Sequence, residues 1–210
     1  MIHRPKPLHL LLAAVGGLFL AGCLNLKPAH STTRHFVLSS IPASPGASAL
    51  TSGPHLVVGV GQVKLPGYLF RTSMALRKSP TEVGYLENAV WAERLDTGCQ
   101  RVVGANLAAL LPTDNIHLSA WRPQEVVCEV QVVLDQFDVG TDGGAVLLAR
   151  WRILSPGGVI TLKAGDSHLS KQGSAPASSP QAAAATLSDL LADLSRELAN
   201  AIKANVPSPR

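Results

Sequence analysis

The sequence predicts a single α/β domain: a mixed β-sheet, with a β-meander in the C-terminal half of the chain, and two long helices packed against it. Three observations predict it. Segments 91–112 and 181–205 repeat apolar residues at helical spacing, whereas segment 126–134 alternates apolar and polar residues at the period of a strand. A chain of 210 residues, 46% of them hydrophobic, is long enough to close one core of ordinary size. With 15% charged residues it is too apolar for disorder, and its apolar runs are too interrupted for a protein that crosses a membrane many times.

Residues 1–22 read as an export leader that is removed. Arg4 and Lys6 supply its charge, Leu10 to Leu20 its apolar stretch, and Ala21 and Gly22 its small residues. The apolar stretch is short of the roughly 20 residues that a membrane span needs. The run Leu20-Ala21-Gly22-Cys23 resembles the lipobox of bacterial lipoproteins. The resemblance implies cleavage between Gly22 and Cys23 and lipid attachment to Cys23, with outer-membrane lipid holding the anchor. Two or more acyl chains, at about 0.8 kcal/mol per buried CH₂, make a lasting anchor where one is marginal. Leu24 stands where enterobacterial lipoproteins kept at the inner membrane usually have Asp, which implies the outer membrane, facing the periplasm. Residues 23–33 are then a lipidated terminus and spacer, and 34–206 the domain.

Within the domain, His35 to Leu38 reads as a short strand and Ser39 to Pro54, uncharged and rich in Ser, Pro, Ala and Gly, as a loop. The continuous apolar run Leu56 to Val63 predicts a central strand covered on both faces, ended by Pro66. Between Trp91 and Pro112, Leu95, Cys99, Val102, Val103, Asn106, Leu107 and Leu110 form one helical stripe. Asn106 is expected to be a satisfied polar group near its edge. Val126, Cys128, Val130, Val132 and Leu134 then point inward from a strand. Thr141-Asp142-Gly143-Gly144 fits a two-residue hairpin turn centred on Asp142 and Gly143, which sets Leu134 against Trp151 and Asp135 against Arg150. A second turn at Ser155 to Gly158 leads to a strand from Val159 to Lys163. After a linker at Ser174 to Pro180, the final helix presents Leu187, Leu190, Leu191, Leu194, Leu198, Ala201 and Ile202 to the sheet by default, with a partner as the alternative.

No motif supplies catalytic chemistry. Gly59-Val60-Gly61 follows a strand, but Lys64 holds the third glycine position of a dinucleotide loop. Asp138 to Gly143 echoes a calcium loop without its third-position oxygen or its final Glu. His35, His55, His117 and His168 are scattered, as surface or strand-edge residues are. The reading is therefore of a protein without enzymatic activity, metal or cofactor. A net charge of +4, or +2 once Arg4 and Lys6 leave with the leader, and no basic stripe argue against nucleic acid as a partner. Cys99 and Cys128 both fall on apolar faces, as either a disulfide or two buried thiols.

Three short patterns carry a further resemblance: His35-Phe36-Val37-Leu38 after the lipobox, Val63-Lys64-Leu65-Pro66-Gly67-Tyr68-Leu69, and Tyr85 to Trp91-Ala92-Glu93-Arg94-Leu95. In order and spacing the chain resembles the ABC-type transport auxiliary lipoproteins, which include PqiC-like intermembrane transport lipoproteins. The likeness covers residues 34–204. It implies an anticodon-binding-like fold and a non-catalytic periplasmic subunit whose partners are an MCE-domain protein and an ABC permease with its ATPase. His35 stands where the family often has an aromatic, and Arg94 where it often has Pro. Leu65, Pro66, Tyr68, Leu69 and Phe70 form either a strand exit folded onto the core or an exposed edge that meets a partner. Self-association into a homo-oligomer is left open. The alternative function is a free-standing envelope lipoprotein that binds lipopolysaccharide or cell wall through Arg150 and Arg152.

Overall fold

The computed structural model describes residues 32–42, 56–111, 113, 115–118 and 120–206. The chain divides into the units Met1–Thr32 and Thr33–Arg210, and the sheet and its helices belong to the second. The leader, Gly22, Cys23, most of the loop after Ser39, His55 and Pro112 lie outside the described residues.

Among the described residues one mixed sheet of eight strands carries two helices. The strands are β1 (Arg34–Phe36), β2 (Val58–Val60), β3 (Ser73–Ser79), β4 (Glu82–Trp91), β5 (Ile116–His117), β6 (Cys128–Gly140), β7 (Gly144–Leu154) and β8 (Thr161–Gln172). The helices are α1 (Leu95–Leu110) and α2 (Pro180–Asn205). The organising strand is β6. Along one edge it pairs antiparallel with β7, which pairs in turn with β8. Along the other edge two short strands follow one another, both parallel to it: β2 beside Cys128–Val130 and β3 beside Val139 and Gly140. From β3 the sheet continues through β4 to β1, and from β2 to β5.

The predicted stripes are the ones that are buried. Leu95, Cys99, Val102, Val103 and Leu107 of α1 and the seven named residues of α2 all join one core, formed with the inner residues of β6 and β7. Asn106 is fully buried at the helix–helix contact rather than near an edge. It accepts from the Ile41 amide at 2.9 Å and donates to Ser195 Oγ at 3.1 Å. Ser179 caps α2 by accepting from the Ala182 amide, and Pro180 fills the first turn where its missing N–H costs nothing.

Several elements differ from the sequence reading. Trp91 ends β4, and the helix begins only at Leu95. The run Leu56 to Val63 pairs as a strand over Val58–Val60 alone, with one more bridge from Lys64 to Val133. It is central, lying between β5 and β6. The second hairpin strand begins at Thr161 and runs to Gln172, leaving Val159 and Ile160 exposed at the turn. The register also moves. Gly143 adopts φ 91° and donates to the Gly140 carbonyl, so the turn is a three-residue loop whose left-handed position needs glycine. A β-bulge between Leu134 and Gln136 adds a second shift, so Trp151 faces Val132 and Arg150 faces Val133. Asp135 still reaches Arg150, diagonally, with two hydrogen bonds of 2.8 Å.

Candidate functional site

The chain between β2 and β3 fills the gap left where these strands share one edge of β6. Pro66 starts a single turn of 3₁₀-helix over Gly67–Phe70, and this turn sends its side chains in different directions. Leu69 enters the core at 3% exposure, Leu65 and Pro66 are half-buried, and Phe70 stands 55% exposed.

Tyr68 is tied down from the other side. Its hydroxyl donates to Asp138 Oδ2 at 2.7 Å, and the same carboxylate oxygen accepts from Arg77 Nη2 at 2.5 Å. Arg77 also donates to the Tyr68 hydroxyl, and Gln136 donates to the other oxygen of Asp138. Asp138 is 2% exposed, so each of these bonds satisfies a group that would otherwise be costly to bury. Burial, with the neighbouring Asp138, pushes the phenol far above its ordinary range. Tyr85 completes the anchorage by donating to the Tyr68 carbonyl. Nothing in a single apolar pattern reveals this cluster; its members come from four segments.

Phe70 lies beside the motif that ends in Trp91 to Leu95, which in turn pairs with the first motif. Phe36 of β1 pairs with Trp91 of β4, the Ala92 amide donates to the Phe36 carbonyl, and the Trp91 amide donates to the Thr72 carbonyl at 2.7 Å. All three stretches that carry the family resemblance are thus neighbours in space. Beside them lies a hollow of 550 Å³ bounded by Phe70, Arg71, Trp91, Glu93 and Arg94. Arg94 lies 5.7 Å from the Phe70 ring centroid and Arg71 lies 4.9 Å from that of Tyr85, within cation–π range. Arg94 is further fixed by Asp96, which accepts from its guanidinium at 2.7 Å and 3.1 Å. That guanidinium, followed by the Thr97 amide and Gln62, holds the Asp96 carboxyl below the usual carboxylate range. The result is a patch centred on the exposed Phe70, with Arg71, Arg94 and Glu93 at its edge.

Cys99 and Cys128 are separate free thiols, both fully buried. Burial pushes Cys128 up to about 12 and Cys99 higher still, so neither is a nucleophile near neutral pH. His35 and His168 are exposed on strands and His117 is half-buried. Among the described residues no group of His, Cys, Asp or Glu is arranged to hold a metal ion. Nor is any described helix long and apolar enough to cross a membrane.

Comparison with known proteins places the fold. A family model described as the ABC-type transport auxiliary lipoprotein component matches residues 36–199. No curated protein matches the chain. A crystal structure of an uncharacterized protein superposes with a TM-score of 0.67 at 19% identity, covering 81% of this chain and 98% of its own. Protein XCC0632 from Xanthomonas campestris, of family-model DUF330, does so with a TM-score of 0.62 at 13% identity, covering 82% and 96%. At these identities the likeness establishes the fold: a curled mixed sheet carrying two helices.

Proposed function

Since the chain belongs to the ABC-type transport auxiliary lipoprotein family, we propose that it is a non-catalytic periplasmic subunit of an MCE/ABC-type lipid transport system, anchored to the outer membrane through Cys23. The observation that carries the docking part of this reading is Phe70. A large aromatic side chain, 55% exposed beside the stretch Trp91 to Leu95, is costly in water and suits a partner surface. Arg71 and Arg94 at the rim add orientation, as interfacial arginines do. Of the segment Leu65 to Phe70, it is Phe70 that meets the partner; Leu69 and Tyr68 hold the turn in place beneath it.

The anchor sets the working geometry. The spacer from Cys23 to Arg34 spans at most about 35–40 Å when extended, so the domain stays within one domain diameter of the membrane. Confinement to that layer raises its effective concentration for a partner that arrives there, and a modest patch suffices.

A pull-down of the tagged full-length lipoprotein from detergent-solubilised envelopes of its native host tests the reading. Recovery of an MCE-domain protein with ABC subunits is expected, together with mass-spectrometric detection of acylated Cys23. Wall fragments or lipopolysaccharide alone would favour the free-standing alternative, and an unmodified Cys23 thiol would remove the anchor from the account.

A further inference from the structure

The face of the sheet turned away from the helices carries a groove of 630 Å³ over β6, β7 and β8. Its charged lining is uneven. Arg150 is neutralised: both Asp135 oxygens accept from it, and Asp166 lies opposite it on β8. Arg152 donates only to the neutral Gln131 side-chain oxygen, at 2.9 Å. Among the described residues no ion pair involves Arg152 or Lys64.

Register places these groups together. Lys64 bridges to Val133, which pairs with Arg150, so Lys64 and Arg150 lie two strands apart, about 10 Å, on one face. Arg152 is two residues along the same strand from Arg150, about 7 Å away. Both distances are within reach of such long side chains converging on one group. The backbone of Lys64 is fixed by its amide donating to the Val132 carbonyl and its own carbonyl accepting from the Leu134 amide. Val133 lies between Lys64 and Arg150 as a low floor, and Ala164 flanks Arg152 on β8. Lys64, Arg150 and Arg152 set against Asp135 and Asp166 leave one net positive charge.

We propose that this groove binds a phosphate-bearing anion, held by Lys64 and Arg152 with Arg150 as a pre-oriented flanking donor. Arg152 offers a planar fork that matches two phosphate oxygens, and Lys64 a point charge for a third. The Asp135 clamp keeps Arg150 from swinging across the groove. This site is separate from the Phe70 patch, so it stands or falls independently of the docking partner. The same chemistry is present in a lipid headgroup and in free phosphate, and the test separates them.

Isothermal titration of the full chain in neutral detergent, with inorganic phosphate and with dihexanoylphosphatidylglycerol as probes, gives the affinities. Lys64→Gln and Arg152→Gln should each weaken binding about tenfold or more, and Asp166→Asn should tighten it. The variant carrying both Lys64→Gln and Arg152→Gln, on exposed side chains, controls for uptake of the lipid by micelles. Tighter binding of the lipid than of phosphate assigns a headgroup, and the reverse order assigns a soluble phosphate. Absence of saturable binding by both probes, or equal binding by the double variant and wild type, would overturn the proposal.

Discussion

Replacing Tyr68 by Phe removes one hydroxyl and leaves the ring in place. That oxygen donates to Asp138 at 2.7 Å and accepts from Arg77 at 3.1 Å, next to a carboxylate with 2% exposure. Asp138 keeps Arg77 and Gln136 in the variant. The main loss is therefore the hydrogen bond to the carboxylate, about 1.5–3 kcal/mol. The longer bond from Arg77 adds little, since that guanidinium is partly exposed and keeps Asp138, and the total stays short of the roughly 3–5 kcal/mol of a buried ion pair stripped of one partner. For a domain of this size each kcal/mol moves the melting temperature by about 2–4 °C, so Tyr68→Phe should melt about 3–12 °C below wild type. Thermal circular dichroism measures this, and a pull-down below both melting temperatures should recover partners as well as wild type does. Phe70→Ser should do the opposite: its side chain is exposed, so stability moves by no more than about 0.5 kcal/mol while partner recovery falls. If Tyr68→Phe melts with wild type and loses its partners, Tyr68 is a contact residue and its reading as a strut beneath Phe70 is refuted.

Other expectations rest on the same geometry. Gly165→Ala would place a Cβ 2.4 Å from Trp151 Cζ2, and the ring cannot retreat without losing its bond to Ser167; a cost of about 1–3 kcal/mol should lower the urea midpoint, and an unchanged midpoint would show that the ring has room. Iodoacetamide at pH 8 should label neither Cys99 nor Cys128 in the folded chain and both after denaturation without reductant, whereas labelling only after reduction would reveal a bridge between them. Asp96 has a folded pKa below its unfolded one, so its ionised form stabilises the fold above the unfolded value, about 3.9, and that contribution is lost as pH falls through the lower folded value. The melting-temperature gap between wild type and Asp96→Asn should consequently be wide at pH 7 and narrow toward pH 3; a gap of constant width would remove the electrostatic explanation.

The parts of the fold readable from sequence were those governed by a single local rule. Helical stripes, the alternation from Val126 to Leu134 and the turns after Gly140 and Leu154 each follow from spacing or from glycine chemistry, and each is found at or near its expected place. What escaped was set by neighbours. The hairpin of β3 and β4 shows little alternation because Arg77 and Tyr85 turn toward the Tyr68 cluster, not toward water or the main core. Most of β8 is polar because it is an edge strand with one wet face, so past Leu162 its one large apolar residue is Leu169 and the alternation does not show. For the candidate site, the motif from Val63 to Leu69 marked the right stretch of chain. It could not separate Leu69, buried, from Phe70, exposed, since adjacent apolar residues on an irregular turn carry no period.

The β-bulge after Leu134 connects these observations. Up to that point the even-numbered residues of β6 face the helices; beyond it Phe137 and Val139 do so instead. Had the alternation continued unbroken, Asp138 would point into the apolar core and Phe137 away from it, an arrangement that burial of an unpaired carboxylate forbids. The extra residue reverses the phase and places Asp138 where Tyr68 and Arg77 can both reach it. The signal was present in the sequence, in the change from an apolar residue at 134 to apolar residues at 137 and 139, but only as a break in a pattern. Because Tyr68 and Phe70 belong to one helical turn, fixing the first on β6 fixes the direction of the second. The exposed aromatic residue is thus aimed by an irregularity in a strand more than sixty residues further along the chain.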